Sequence, residues 1–224
     1  MKLSEIIFNF NNNAYSSPWE INAINNLRLK KILALIGSGK RVLDVGCYDG
    51  TIALQIQRQG NEVVGIDISA KAVKLANKQG LTAYVSNLEE EKMPKAIGKF
   101  DVIVAGELIE HIFDPDAFLS KLNTVLQPNG CIILTTPNLA GLGSRLSLLL
   151  GKLPWMIEND ILPGKSGHIR YFTYDELVKL LNRQGFKVVA FTTDSIGMQN
   201  ITVPFIDKFF PRIGRILTSK AQKL

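Results

Sequence analysis

Cysteine and long hydrophobic runs are both scarce in this chain of 224 residues. The two cysteines, Cys47 and Cys131, are too few for the disulfide framework of a small secreted protein. No apolar stretch approaches the ~18 to 20 residues that a membrane-spanning helix needs, and the first residues lack the apolar run of a signal peptide. We therefore expect a protein without membrane spans in a reducing, cytoplasmic compartment.

Charge of one sign is also limited, because the net charge is only +6. Much of it lies between Lys208 and Lys223, and a basic stretch can contact nucleic acid or an anionic membrane surface. A solvated face is the simpler explanation. Internal repeats and low-complexity tracts are absent from the sequence, and 46% of the residues are hydrophobic, which is enough for a full core. We expect one domain spanning residues 1–224.

Buried-strand patterns alternate with helical patterns along most of the chain. The strand patterns cover 41–45, 62–66, 81–85, 100–105, 131–136 and 186–192. The helical patterns cover 21–36, 50–59, 69–79, 114–126 and 173–184, with Ser69, Asp114 and Thr173 as expected N-caps. Such alternation predicts an α/β fold with a doubly wound, mostly parallel sheet and helices on both faces. Ligands of these sheets bind beyond the carboxyl ends of the strands.

Three segments depart from this alternation. Residues 1–38 form an N-terminal helical segment that precedes the first strand. Residues 139–170 contain a leucine-rich stretch, and a long excursion after the carboxyl end of a strand predicts a lid or a substrate-binding insertion. Residues 201–224 are amphipathic: the apolar side chains of 205–210 lie at helical spacing, and residues 215–220 are read as a last edge strand.

The loop after the first strand separates two classes of cofactor. It runs from Val42 to Gly50 and has the spacing G-x-x-x-G, whereas a dinucleotide site would have G-x-G-x-x-G facing a pyrophosphate. The loop also carries Asp44 and Asp49, which would repel a pyrophosphate but attract an ammonium group. S-adenosylmethionine (SAM) carries an ammonium, a sulfonium and no phosphate, so this loop favours SAM.

An acid at the end of the second strand supports a nucleoside cofactor. Asp67 lies 17 residues after Gly50, and a carboxylate there accepts hydrogen bonds from ribose hydroxyls. A nicotinamide dinucleotide would use the same contact, so Asp67 does not distinguish the two cofactors.

Five motifs together resemble those of class I SAM-dependent methyltransferases, over roughly residues 40–192. The segments 42–50 and 63–69 are similar to their first two motifs, and 100–104 with 107–112 to their fourth. Residues 126–138 are similar to the "L-K-P-G-G" turn and the strand that ends in "T-P-N". Residues 167–173 are similar to the "H-x-R-x-F-T" motif of the subgroup that includes ubiquinone-type O-methyltransferases. Each motif alone is weak, but their order and context make the set specific.

The resemblance implies a Rossmann-like sheet of seven strands with an antiparallel last strand, and it implies a set of cofactor contacts. Asp44, Gly46, Cys47 and Gly50 would line the methionine part of SAM, and Asp67 would hold the ribose. Ile68 would pack on the adenine, with Asn87 and Leu88 near its amino group and Glu107 beside the cofactor loop. Tyr48 occupies a position where the family commonly has glycine.

The residues after strand four could also bind a metal ion. Methyl transfer needs an acceptor held in line with the methyl group, and a base or a metal can help to deprotonate it. Glu107, Glu110, His111 and His168 could together bind a divalent ion such as Mg²⁺. His111 is the candidate catalytic residue. In the structural alternative, Glu107 orients the cofactor loop and the two histidines are ordinary hydrogen-bonded residues.

The sequence therefore predicts a SAM-dependent methyltransferase acting on a small molecule, at a hydroxyl of a quinone precursor, a lipid or a sugar. The "N-P-P-Y" signature of enzymes that methylate exocyclic amino groups of bases is absent after strand four, which disfavours a nucleic-acid substrate. Peripheral contact with a membrane is compatible with the amphipathic C-terminal segment. A nicotinamide-dependent oxidoreductase and a non-enzymatic SAM-binding protein are the alternatives.

Overall fold

A computed structural model describes residues 23–91, 93–94, 97–159, 167–194, 196–198, 201–203 and 210–224. The helices are α1 (Ala23–Ile36), α2 (Thr51–Arg58), α3 (Ala70–Lys78), α4 (Pro115–Val125), α5 (Leu142–Leu149) and α6 (Tyr174–Arg183). The strands are β1 (Arg41–Val45), β2 (Glu62–Asp67), β3 (Thr82–Val85), β4 (Phe100–Gly106), β5 (Leu126–Pro137), β6 (Phe186–Thr193), β7 (Ile196–Met198), β8 (Ile201–Val203) and β9 (Ile216–Lys223). Short 3₁₀ turns cover Ile109–His111 and Pro211–Ile213. None of the helices in this described part of the chain is long and apolar enough to cross a membrane.

Seven of the strands form one sheet with the order β3-β2-β1-β4-β5-β9-β6. The first five are parallel to one another, and β9 is antiparallel to both of its neighbours. The predicted doubly wound sheet with an antiparallel last strand is confirmed. The prediction that the last strand lies at an edge is wrong, because β9 is inserted between β5 and β6. It pairs along both sides, and its residues Leu217 and Thr218 are fully buried.

Two apolar layers cover the two faces of the sheet. One layer contains Phe118, Leu122 and their neighbours from α4 together with Leu177 and Leu181 from α6. The other contains side chains from α1, α2 and α3, such as Ile32, Ile56 and Val73. Helices therefore pack on both faces, as the alternation of patterns predicted.

Side-chain caps begin three of the helices. The Ala72 N–H donates to Ser69 Oγ, the Ala117 N–H donates to Asp114 Oδ1, and the Glu176 N–H donates to Thr173 Oγ1. Each cap satisfies one of the backbone donors that a helix N-terminus leaves without an intrahelical partner. The three predicted N-caps are confirmed.

The insertion between β5 and α6 begins and ends at one place. Residues 138 and 172 form a parallel bridge, and the Leu139 N–H donates to the Phe172 carbonyl at 2.9 Å. Helix α5 belongs to the insertion and lies beside β7, a strand that follows β6 and pairs antiparallel with β8. The helical pattern predicted over 205–210 falls almost entirely outside the described residues.

Gly214 is the most crowded glycine in the described part of the chain. A Cβ at this position would lie 1.9 Å from Thr193 Oγ1, and that hydroxyl donates to the Ile216 carbonyl at 2.6 Å. We expect Gly214→Ala to lower the free energy of unfolding by about 2 to 3 kcal/mol, measured by urea denaturation. Gly106→Ala is the control, since its Cβ would make only an ordinary 3.6 Å contact with Thr135. Equal losses in the two variants would contradict the packing argument.

Candidate active site

The carboxyl ends of β1, β2, β4 and β5 meet at one edge of the sheet, where a cavity of about 450 Å³ opens. This is the position at which parallel α/β sheets bind their ligands. The cavity wall includes most of the residues predicted from the sequence: Asp44, Gly46, Cys47, Asp67, Ile68, Asn87, Leu88, Glu107, His111 and His168. Two predicted residues do not line the wall. Gly50 is the N-cap residue of α2, and Glu110 is buried in the turn that follows β4.

The first loop folds back onto the end of β2. The N–H groups of Gly46 and Cys47 both donate to the Ile66 carbonyl, and the Tyr48 N–H donates to Asp67 Oδ2 at 2.8 Å. Tyr48 adopts a left-handed conformation with φ of 48°. The backbone turn therefore survives the replacement of the common glycine, at a cost of about 1 to 2 kcal/mol. Burial raises the pKa of the Cys47 thiol, which makes this cysteine an inert part of the wall.

Three acids surround this loop, and they differ in how they are engaged. Asp44 is buried, and its Oδ2 has no hydrogen-bond partner among the described residues. Burial, with a smaller contribution from the charge of Asp67, raises the pKa of Asp44 to about 7. Asp67 accepts from the N–H groups of Tyr48 and Ser69. These bonds oppose the rise that burial causes in its pKa. Asp49 accepts from the Thr51 N–H and hydroxyl and so fixes the start of α2.

Ile68, Asn87 and Leu88 form an adjoining part of the wall. Asn87 Oδ1 accepts from the Glu89 N–H at 3.1 Å, which holds the amide in place. An amide oxygen has two lone pairs, so it can accept a second hydrogen bond from a ligand. An apolar surface beside a fixed amide suits a flat heterocycle that carries an amino group.

Glu107 occupies an unusual backbone conformation at the end of β4. Its φ is +52°, and its N–H donates to both the carbonyl and the hydroxyl of Thr135. Its carboxylate pairs with Arg28 of α1 at 3.4 Å. Left-handed non-glycine residues concentrate at functional sites, where the surrounding contacts hold them. Sequence reasoning missed Arg28, since nothing in the helical pattern marks which face of α1 meets the cavity.

Glu110, His111 and His168 offer ligand atoms that all lie within 4.8 Å of one another. Both carboxylate oxygens of Glu110 are buried without a hydrogen-bond partner among the described residues, and one of them lies 3.9 Å from His168 Nε2. Burial and the charge of Glu107 raise the pKa of Glu110 well above its usual range. The structure thus brings together three of the four predicted metal ligands, while Glu107 pairs with Arg28 instead.

Backbone carbonyls orient both imidazole rings of this cluster. His168 Nδ1 lies 3.1 Å from the Met156 carbonyl, and His111 Nδ1 lies 3.3 Å from the Gly167 carbonyl. A carbonyl only accepts, so Nδ1 carries the hydrogen and Nε2 keeps a lone pair in each neutral ring. Burial, followed by the charge of His168, lowers the pKa of His111 to about 4. His111 is therefore neutral at physiological pH, which suits a metal ligand better than a strong base.

Arg170 joins the His168 segment to the turn after β4. Its Nε donates to the Ile112 carbonyl at 2.9 Å, and its guanidinium also reaches the carbonyl of Phe113. The N–H groups of Ile169 and Arg170 both donate to the Glu110 carbonyl. These contacts explain the "H-x-R" spacing: the arginine fixes the histidine beside the glutamate. The sequence motif contained this signal, although the role of Arg170 was not predicted.

A family model described as a methyltransferase domain matches residues 22–190. The chain belongs to this family. The prediction of a class I methyltransferase domain is therefore confirmed, as is its Rossmann-like fold. The cavity at the carboxyl ends of the strands is the candidate active site of this methyltransferase domain, because parallel α/β sheets bind their ligands at this edge.

Curated relatives of this methyltransferase domain include ubiquinone biosynthesis O-methyltransferases. The one from Cupriavidus pinatubonensis is 30% identical over 173 residues, which cover 74% of this chain and 68% of the relative. The one from Bordetella avium is 34% identical over 125 residues, covering 53% of this chain and 52% of the relative. In most of these alignments the chain spans about half the length of the curated relative.

Solved structures share the fold of this methyltransferase domain. Magnesium protoporphyrin IX methyltransferase from Synechocystis PCC 6803, with bound S-adenosylhomocysteine, superposes with a TM-score of 0.65. It is 18% identical, and the match covers 99% of this chain and 100% of that one. A SAM-dependent methyltransferase from Mesorhizobium loti has a TM-score of 0.62 at 16% identity, covering 90% and 99% of the two chains.

Proposed function

We propose that this chain is a SAM-dependent methyltransferase that transfers the methyl group to a hydroxyl of a small amphiphilic acceptor. The acidic first loop carries the proposal: Asp44 is a buried carboxylate in the cavity wall, and its Oδ2 accepts no hydrogen bond from the described residues. The loop has the spacing G-x-x-x-G in place of the G-x-G-x-x-G of a pyrophosphate site. A carboxylate there is suited to an ammonium group. Structural neighbours with bound SAM and S-adenosylhomocysteine support the same cofactor.

In this proposal the predicted residues contact three parts of the cofactor: the methionine moiety, the ribose and the adenine. Asp44 pairs with the ammonium of the methionine moiety, beside the backbone of Gly46 and Cys47. Asp67 accepts from the ribose hydroxyls, and Ile68, Asn87 and Leu88 surround the adenine. The acceptor oxygen attacks the methyl carbon and the C–S electron pair stays on sulfur. S-adenosylhomocysteine is released together with the hydroxyl proton.

The cluster of Glu110, His111 and His168 fits a divalent cation. Both buried oxygens of Glu110 lack a hydrogen-bond partner in the described part of the chain, and a bound cation would offset the cost of their desolvation. His111 and His168 each direct an Nε2 lone pair away from the carbonyl that holds Nδ1. We propose that Glu110, His111 and His168 hold Mg²⁺ or Mn²⁺. Such an ion would lower the pKa of the acceptor hydroxyl. His111 serves in this scheme as a ligand beside the acceptor.

The acceptor class follows from the relatives and from the surface around the insertion. Relatives are named for ubiquinone biosynthesis, which supports a quinone precursor or a similar amphiphile. Residues 139–170 would form the lid over such an acceptor. The side chains of Leu148, Leu149, Leu150 and Leu153 are all more than half exposed. With Arg145 and Lys152 nearby in sequence, they would support peripheral contact with an anionic membrane.

Cofactor affinity should depend on pH through Asp44. The raised pKa of about 7 means that the folded, ligand-free protein binds a proton that the unfolded chain releases near pH 4. Its stability therefore falls as pH rises from about 4 to about 7. The cofactor ammonium favours the ionised carboxylate, so affinity should rise about tenfold per pH unit below 7 and level off above it. Calorimetry at pH 5.5, 6.5 and 7.5 measures this slope, and Asp44→Asn should flatten it.

The proposal is tested by titrating the protein with SAM, S-adenosylhomocysteine and NADH. Micromolar binding of the first two without binding of NADH is expected. Binding of NADH alone would instead establish a nicotinamide-dependent enzyme. A second step incubates the SAM complex with catechol-type, lipid and sugar hydroxyl acceptors, each with and without Mg²⁺, and follows S-adenosylhomocysteine formation. Tight cofactor binding with no turnover on any acceptor would support the non-enzymatic alternative.

A further inference from the structure

Arg215 and Trp155 form a stacked pair in the cavity wall. The guanidinium carbon of Arg215 lies 4.6 Å from the centroid of the Trp155 ring, and both residues line the cavity. Trp155 belongs to the insertion after β5, and Arg215 immediately precedes β9. The two segments therefore meet at this pair, in a part of the wall that none of the proposed cofactor contacts uses.

The backbone of Arg215 is fixed from three sides. Its carbonyl accepts from the Asn138 N–H at 2.9 Å. Gly214, directly before it, packs against Thr193 too closely for any side chain. The next N–H, that of Ile216, donates to Asp194 Oδ1 at 3.1 Å. An arginine with a fixed backbone and a stacked side chain is preorganised, which lowers the entropy cost of binding a ligand.

Arg215 differs from Arg28 in having no carboxylate partner among the described residues, although the Nε atoms of both lack a hydrogen-bond partner there. Its Nε is buried, and this atom has no hydrogen-bond partner among the described residues. Arg28 pairs with the carboxylate of Glu107, and Arg170 donates to backbone carbonyls. A buried guanidinium N–H without an acceptor is costly. Carboxylates and phosphates are its best partners, because either group can accept two parallel hydrogen bonds from a guanidinium.

This pair lies next to the support of the proposed metal cluster. Trp155 immediately precedes Met156, whose carbonyl lies 3.1 Å from His168 Nδ1. Met156 is itself buried, and its carbonyl is the atom that orients the histidine. A group bound at Arg215 would therefore lie beside Trp155, whose neighbour in the chain contacts His168.

We propose that Arg215, backed by the ring of Trp155, binds an oxyanion group of the acceptor, either a carboxylate or a phosphate. The proposal rests on the proposed function and adds a substrate class: an acceptor that carries an anionic group as well as the methylated hydroxyl. Arg215 is a specificity-determining residue here. It orients the acceptor so that the hydroxyl faces His111 and His168.

The test measures binding to the complex with S-adenosylhomocysteine, so that it does not depend on turnover. The probes are catechol, 3,4-dihydroxybenzoate and phenyl phosphate, titrated by calorimetry into the wild type, Arg215→Leu, Arg215→Lys and Arg212→Leu. Arg212 is the matched control. Its guanidinium also stacks on an aromatic ring, at 4.2 Å from the centroid of Tyr174, but it does not line the cavity.

At least one anionic probe should bind the wild type about 10 to 100 times more tightly than catechol, which is the range for a charged hydrogen-bonded pair. The probe that gains affinity tells a carboxylate group from a phosphate. Arg215→Leu should remove the difference, Arg215→Lys should retain part of it, and Arg212→Leu should leave it unchanged. Equal binding of all three probes, including no binding of any, overturns the proposal. So does a preference that persists in Arg215→Leu.

Two readouts keep the inference distinct from the proposed function. Affinity for S-adenosylhomocysteine itself reports the cofactor site, and it should be the same in all four proteins. If the wild type does not bind S-adenosylhomocysteine, the proposed function is overturned. If it binds S-adenosylhomocysteine but shows no preference for an anionic probe, only the role of Arg215 is overturned. Arg215→Lys keeps the positive charge, so a partial preference in this variant supports the role of Arg215 even if Arg215→Leu does not fold.

Discussion

Asp67→Ala is expected to lower the affinity for S-adenosylhomocysteine at least about 100-fold, because two hydrogen bonds from ribose hydroxyls to a carboxylate are lost. The carboxylate has a second task. It accepts from the Tyr48 and Ser69 N–H groups, so the variant also loses one of the hydrogen bonds that hold the first loop to the end of β2. Calorimetric titration of the two proteins measures the loss. Asp67→Asn, which keeps an acceptor oxygen for one of these bonds, should lie between the two.

Asp101→Ala is the matched control for this result. The Arg41 N–H donates to Asp101 Oδ2 at 2.9 Å, so this aspartate also joins neighbouring strands through a backbone donor. It lies at the opposite end of β4 from the cavity and does not line the wall. The control variant should lose stability but keep its affinity for the cofactor. A cofactor affinity in Asp67→Ala within threefold of the wild type would contradict the assignment of the ribose contact.

Glu110→Gln is expected to slow methyl transfer to a hydroxyl acceptor by at least about 100-fold while leaving cofactor binding intact, since a metal ligand supplies several kcal/mol to such a reaction. Glutamine removes the charge that attracts the cation but keeps the size of the side chain. Mn²⁺ titration followed by calorimetry should show binding to the wild type and loss of it in the variant. Turnover of the wild type should fall similarly when a chelator is added.

The same substitution should stabilise the metal-free protein. The two Glu110 oxygens are buried and have no hydrogen-bond partner among the residues that the structure describes. Burial raises the pKa of this carboxyl, so stability is lost as pH rises through that pKa. A neutral amide avoids this loss. We therefore expect a higher melting temperature for Glu110→Gln at pH 8, measured without added metal. For the rate prediction above, equal rates of methyl transfer in wild type and Glu110→Gln, with or without Mg²⁺, would show that Glu110 has no part in the reaction.

Local signals in the sequence predicted which segments of the chain form strands, which residues cap the helices, and which acids belong to the first loop. Each of these depends on residues close together in sequence: Ser69 caps its own helix, and Asp67 ends its own strand. The position of β9 could not be predicted this way, since its paired residues lie 79 to 91 positions away in β5 and 24 to 37 positions away in β6. The edge assignment failed for that reason.

The site shows the same division between local and distant contacts. The motif after β4 and the motif around His168 each predicted ligands, and the structure brings Glu110, His111 and His168 together. Sequence alone did not indicate that Glu107 pairs with Arg28 from α1, or that Arg215 stacks on Trp155. Both pairs join segments that are distant in sequence, and their members are not marked by any local periodicity.

The bridge between residues 138 and 172 has a consequence for how this protein can change. Because the two ends of the insertion meet, its length can vary at a small cost in loop-closure entropy and without shifting the sheet. The side-chain amide of Asn138 donates to the carbonyls of Arg212 and Gly214. These bonds anchor the junction to the segment that leads into β9. The span from 139 to 171 is therefore a graftable module. Exchanging it between homologues together with Arg215 would transfer acceptor preference, while the cofactor contacts at the ends of β1 and β2 stay as they are.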